Sequence, residues 1–475
     1  MRRLIENRFG MLALVLIALG AVYGVAFASR PAPAAPVRAE PVRAPIAAVS
    51  TVCPDPGGAM VTAVTPPNSG GTGQTLIEDG DEPVTVDEPG KLWQKTMAAG
   101  TDPMRVHATG AMASGLEAAQ TRRALTGAAR GLAGVRCVDP GADAWFVGPG
   151  PAAGDLKLHL ANVESAPADV ALVVYSGEGQ VIADRASGML LKPGEHRVVD
   201  LKKVAPSPLV MALNVSTGRG RVAAAVEAAT PEGVDWLPQT TRPAERVVVP
   251  GVPGSAGRRE LYVAAPGESD AVVHVKAVLK DGSYALENRE TVEVPAGSVA
   301  TLDLSTGVTG QPAAIVLTSE TPVVAGLKIV GTGGRTDVAF TAGAPSIDLG
   351  SVVADARSTK EVTSRLILSA PDKAAEVTVT LLPREGKAPD PIEVAIPAAR
   401  TKELILKGPA KGFSVVVTPK TGSGPVYGGR VMEERAAGGQ LVTAQPLAVA
   451  RTWTLVPPVA EEPSAVLSQP LSQPS

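Results

Sequence analysis

The chain has 475 residues and a formal net charge of −3. It lacks the basic excess of a polyanion-binding surface, so nucleic acid is excluded as an expected partner. Apolar residues make up 45% but aromatic residues only 3%. A core must therefore be built from Val, Ala and Leu, and the 50 Gly and 43 Pro favour strands and turns over long helices.

Residues 11–28 form an uncharged apolar run, within the ~17–25 residues that cross a bilayer as a helix. Arg2, Arg3 and Arg8 precede it. This bias places residues 1–10 in the cytoplasm and the bulk of the chain outside. A retained transmembrane signal anchor is expected; the alternative is secretion after cleavage at the small-x-small site Ala26-Phe27-Ala28. Residues 29–48 are Pro- and Ala-rich and read as an extended polyproline stalk of roughly 50–60 Å at ~3.1 Å per residue.

Cys53 and Cys137 are the only cysteines. In an oxidising compartment two thiols pair as a disulfide, the alternative being two buried free thiols. Neither lies in a CxxC pair, which argues against a redox or metal role.

A motif then recurs four times at intervals of about 100 residues: VTVDEPGKLWQKTM from Val84, MLLKPGEHRVVDL from Met189, VEVPAGSVATLDL from Val292 and VAIPAARTKELIL from Val394. Alternating apolar segments flank each copy, as in LKLHLAN with DVALVVYS. About seven short strands per 100 residues with regular turns define an all-β chain of tandem antiparallel β-sandwich units, immunoglobulin-like in shape without the Cys–Trp–Cys core. The units read as a divergent first at 49–144, then 145–245, 246–350 and 351–456, with a disordered tail at 457–475. Within the first, the Ala- and Arg-rich stretch 115–132 shows no alternation and reads as a short helical insertion before Cys137. The strand TWTLV from Thr452 has no unit after it. A linear or bent array is expected, with a closed ring as the alternative.

Three segments carry a resemblance: HATGAMASGLEAAQ from His107, RGLAGVRC from Arg130 and WFVG from Trp145. They resemble a family of uncharacterised actinobacterial membrane or secreted proteins, each a single anchor followed by an extracytoplasmic β region. The resemblance implies an envelope location and supplies no catalytic residues.

Chemistry-bearing patterns are sparse. His107, His159, His196 and His274 are far apart along the chain, without metal-ligand spacing, and His159 and His274 read as exposed strand residues. No nucleophile elbow occurs. The acidic turn EDGDE from Glu78 reads as a solvated hairpin turn, with weak Ca²⁺ binding the alternative. No cofactor is expected. Trp145, Trp236 and Trp453 fall near passages between units, where they seal hydrophobic junctions or line an inter-unit groove. Arg122, Arg123, Arg130 and Arg136 form a local basic patch, read as a solvated face or a site for anionic wall polymer or lipid headgroups. A non-catalytic membrane-tethered scaffold binding an envelope protein or glycan is the expected function. The alternative is an exported enzyme acting on envelope glycan at a unit junction.

Overall fold

A computed structural model of the chain describes residues 8–29 and 42–456, apart from 68–69, 79–81, 183–187, 256 and 309. The tail, most of the stalk and the centre of the acidic turn lie outside the described residues.

The apolar N-terminal run is a helix, Arg8–Ala28. Its Gly10–Ala28 part has a mean hydropathy of 2.4 and spans about 28 Å at ~1.5 Å per residue. It is long and apolar enough to cross a bilayer. Leu16, Ile17, Val22 and Val25 are all exposed, so the helix is apolar all round, without the single stripe of an amphipathic helix.

Residues Pro45–Trp453 form one compact body of strands. Period-2 alternation decides its faces: Leu156, Leu158 and Leu160 are buried while Lys157 is exposed. The first eight strands are Ala48–Cys53, Met60–Val64, Gly73–Ile77, Val84–Val86, Trp93–Thr96, Met104–Gly110, Glu117–Ala124 and Gly131–Arg136. Counted in chain order, one sheet runs first–sixth–third–fourth and the facing sheet fifth–second–seventh–eighth, all antiparallel. The same order recurs in three further groups of strands, within 143–237, 244–342 and 351–446, once the short extra strands Gly179–Val181 and Ser283–Ala285, which pair with the third strands of the second and third groups, are left out of the count. In the third group the sixth and seventh strands fuse into one 18-residue strand, Ala313–Val330, that serves both sheets. Each group encloses an aliphatic core between its two sheets.

The recurring Pro-Gly motif is the corner where the chain leaves the fourth strand of one sheet for the fifth strand of the other. Gly90, Gly194, Gly297 and Ala399 occupy the same place in it, with φ of 87°, 72°, 65° and 57°. Their N–H groups donate to the carbonyls of Thr65, Asn162, Ala265 and Ala370, at the ends of the four second strands. The motif thus ties the two sheets together, and it needs the left-handed backbone that glycine adopts freely.

The helical insertion expected at 115–132 is absent. Glu117–Ala124 and Gly131–Arg136 are a strand pair in register from Ala119↔Arg136 to Ala124↔Gly131, preceded by a single 3-10 turn at Ala111–Ala113. Residues Glu117 to Thr121 are buried on both faces, so the in–out alternation that marks a strand is missing there.

A linear array is also overturned. An apolar cluster lies at every junction, and the fourth group packs back on the first. Val52, Val135 and Val138 meet Ala223 and Trp236; Trp145 and Ala212 meet Tyr262 and Val324. Ile367, Val431 and Val442 join the core of the third group, and Val352, Ala354 and Leu382 meet Val64 and Ala119. The four groups close into a ring.

The unmatched last strand, Trp453–Val456, pairs with Val42–Pro45, so the end of the segment read as stalk is a strand. Just before it, Arg451 accepts at its carbonyl from the Gly115 N–H (2.9 Å) and Thr452 from the Ile46 N–H (3.2 Å).

Candidate functional site at the ring axis

The eighth strand of each group is an edge strand, and edge strands carry unpaired backbone groups that must be covered. In this protein the four eighth strands, Gly131–Arg136, Gly233–Leu237, Val338–Ala342 and Gly439–Pro446, pack in turn around the centre of the ring. Two buried carboxylates take their spare donors. Asp235 Oδ1 accepts from the Gly134 N–H (2.9 Å) and the Thr443 hydroxyl (3.2 Å). Asp337 Oδ2 accepts from the N–H groups of Leu132 (3.2 Å) and Val442 (2.9 Å), and its Oδ1 from the Val338 N–H (2.9 Å). Each carboxylate therefore joins the first and fourth groups to its own. Burial pushes Asp337 up to about 6. It raises Asp235 well above the carboxylate range, with Asp337 adding to the effect. Gly233 allows this approach, because a Cβ there would lie 2.1 Å from Asp337 Oδ1.

The ends of the four eighth strands and the residues that follow them wall a cavity of about 350 Å³, to which all four groups contribute. Phe146, Trp236, Leu237 and Leu447 make it apolar, and Arg136, Asp139, Gln239 and Gln445 supply polar edges. Its volume and mixed lining are those of a small-ligand site. Asp139 is the one carboxylate in the lining. It is paired with Arg451 (2.5 Å) and lies 3.7 Å from Arg136. Arg136 in turn pairs with Glu117 (2.6 Å), whose carboxyl is raised by burial.

The structure separates the three tryptophans. Trp145 stacks on Tyr175 (6.0 Å) at the junction of the second and third groups. Trp236 lies at the first–second junction and on the cavity wall. Trp453 is half exposed in the last strand. The four arginines do not make a free anion patch. Arg122 pairs with Asp55 (3.2 Å) and Glu227, Arg123 with Glu434, and Arg130 donates to the Thr336 carbonyl (2.7 Å). Neighbours in a strand point to opposite faces, so Arg122 reaches the second group and Arg123 the fourth.

Cys53 and Cys137 are disulfide-bonded, linking the end of the first strand of the first group to the residue after its eighth. His159, expected to be exposed, is buried with its ring 5.2 Å from that of Trp236, and burial lowers its pKa. His107 Nδ1 hydrogen-bonds Ser50 Oγ (2.7 Å), and His274 is exposed. Among the described residues no cluster of His, Cys, Asp or Glu could hold a metal ion. Sequence reading missed the eighth strands and with them Asp235, Asp337 and the cavity. Trp236 was the one signal that pointed there.

Residues 93–407 match a family of unknown function, DUF5719. The match runs from the fifth strand of the first group to just past the fifth strand of the fourth, and the chain belongs to this family. No curated protein matches the chain.

Proposed function

We propose that the chain is a membrane-anchored, extracytoplasmic binding protein of the cell envelope, non-catalytic, in which four immunoglobulin-like units hold the axial cavity as the binding site. The single observation that carries this reading is the cavity wall, to which every one of the four groups contributes. Such a site exists only while the ring is closed, which gives the elaborate closure a purpose. The apolar helix and the disulfide support an exported body tethered to the membrane. The cavity suits a small molecule, or the tip of an envelope protein or glycan. A glycan-cleaving site would call for two carboxylates placed across a bond, whereas the lining offers Asp139 alone, already ion-paired.

Two measurements test this. Protease added to intact cells should digest the β body while an N-terminal tag stays protected inside, and a protected body would refute export. Native mass spectrometry of the full chain in detergent should show a retained small ligand or a saturable added one, abolished by the cavity-filling Ala448→Trp. Binding that is unchanged in that variant would refute the axial site.

A further inference from the structure

Arg430, on the seventh strand of the fourth group, is 1% exposed, and none of its Nε, Nη1 or Nη2 atoms hydrogen-bonds a protein acceptor. A buried cation without a partner is costly, and burial lowers its pKa. The carboxylates that sense its charge are Asp355 and Asp235. Asp355 is held by Arg357 (3.0 Å) and the Thr121 hydroxyl (2.7 Å). Asp235 is held by Gly134 and Thr443. Arg357 adds a second positive charge nearby.

Directly across the strand pair from Arg430 is Gln445, whose Nε2 also has no acceptor. The two side chains line a small recess of about 10 Å³, room for roughly one water or one ligand oxygen. This recess shares Arg136, Gln445, Pro446, Leu447 and Ala448 with the 350 Å³ axial cavity. The recess therefore presents the unpartnered donors of Arg430 and Gln445 beside Glu117, a carboxylate already paired with Arg136, and the adjoining cavity presents Phe146, Trp236 and Leu237.

We propose that the axial cavity binds a small molecule with an apolar body and one acidic head, carboxylate or phosphate, whose oxygen accepts from Arg430 and Gln445. The inference rests on the reading of the axial cavity as the binding site. Hydrogen bonds from a charged donor discriminate strongly between an anionic and a neutral head.

The test is titration calorimetry on the full chain in detergent with four water-soluble probes: benzoate, phenyl phosphate, benzyl alcohol and benzylamine. Benzoate or phenyl phosphate should bind at least about ten-fold tighter than benzyl alcohol, with benzylamine weakest. The tighter of the two acids identifies the head. Arg430→Met should cost the acids about ten-fold and leave benzyl alcohol within about two-fold. Gln445→Leu carries no charge change and should weaken the acids alone, which keeps the test open if Arg430→Met does not fold. Equal affinity for benzoate and benzyl alcohol, both lost in Ala448→Trp, would overturn the acidic head and leave the cavity reading standing. No binding of any probe, or binding that survives Ala448→Trp, would overturn both.

Discussion

Asp235 and Asp337 come from consecutive groups of strands, yet both accept from backbone N–H groups of the same strand of the first group, Gly134 for one and Leu132 for the other. The same oxygen of each also accepts from the fourth group, Asp235 Oδ1 from the Thr443 hydroxyl and Asp337 Oδ2 from the Val442 N–H. The ring is thus latched at its axis by two carboxylates rather than by a continuous sheet.

The latch makes stability depend on pH. Asp337 titrates at about 6 when folded and near the ordinary ~3.9 when unfolded. The folded state binds the proton more tightly, so this stabilisation is complete below about pH 4 and lost as pH rises through 6. The loss is about 3 kcal/mol, and Asp235 acts in the same direction. Denaturant unfolding of the full chain between pH 4 and 7 should show stability falling with pH, with a shallower slope in Asp337→Asn. Identical slopes in the two proteins would refute the assignment.

Ala399 sits where the other three corners have glycine, at φ 57°. A left-handed conformation costs an alanine about 1–2 kcal/mol, against a glycine entropy cost of about 0.5–1 kcal/mol. Ala399→Gly should therefore raise stability by up to about 1 kcal/mol. Gly194→Ala, where a Cβ would meet nothing within 4 Å, should lower it by a similar amount through φ alone. Urea midpoints moving in the same direction for both variants would contradict the equivalence of the corners.

The disulfide closes a loop with a sequence separation of 84. Replacing both cysteines with alanine should cost about 4.5 kcal/mol in the chain-entropy account. Thermal unfolding with and without reductant checks this: the wild type should shift on reduction and the double variant should not.

Trp236 packs at the first–second junction and on the cavity wall. Truncation to alanine should cost about 3–5 kcal/mol and increase amide exchange in Gly131–Arg136 and Gly233–Leu237 more than in the outer strands. Uniform exchange across the body would show that the junction is not where the side chain acts.

The parts of the fold that could be read from sequence are those with one wet face. Leu156, Leu158 and Leu160 alternate with Lys157 because solvent lies on one side of that strand, save where His159 turns under Trp236. The axial strands escaped notice for the converse reason. Gly233–Leu237 and Val338–Ala342 are buried on every residue, so no in–out period marks them, and Glu117–Thr121 lacks that period on the same account. The carboxylates of the latch were illegible because their partners lie about 100 residues or more away. The arginines are close in sequence but not in space, because neighbours in a strand point to opposite faces.

The pairing of Val42–Pro45 with Trp453–Val456 brings entry and exit of the chain side by side. Three of the four joints in the ring are covalent, and the fourth is closed only by non-covalent contacts such as the Gly115–Arg451 hydrogen bond. Since the strand order is the same in every group, which group counts as first is an accident of where the polypeptide was cut. A circular permutant opened at 238–243, with the old ends spliced, should rebuild the same closed body from a different starting point.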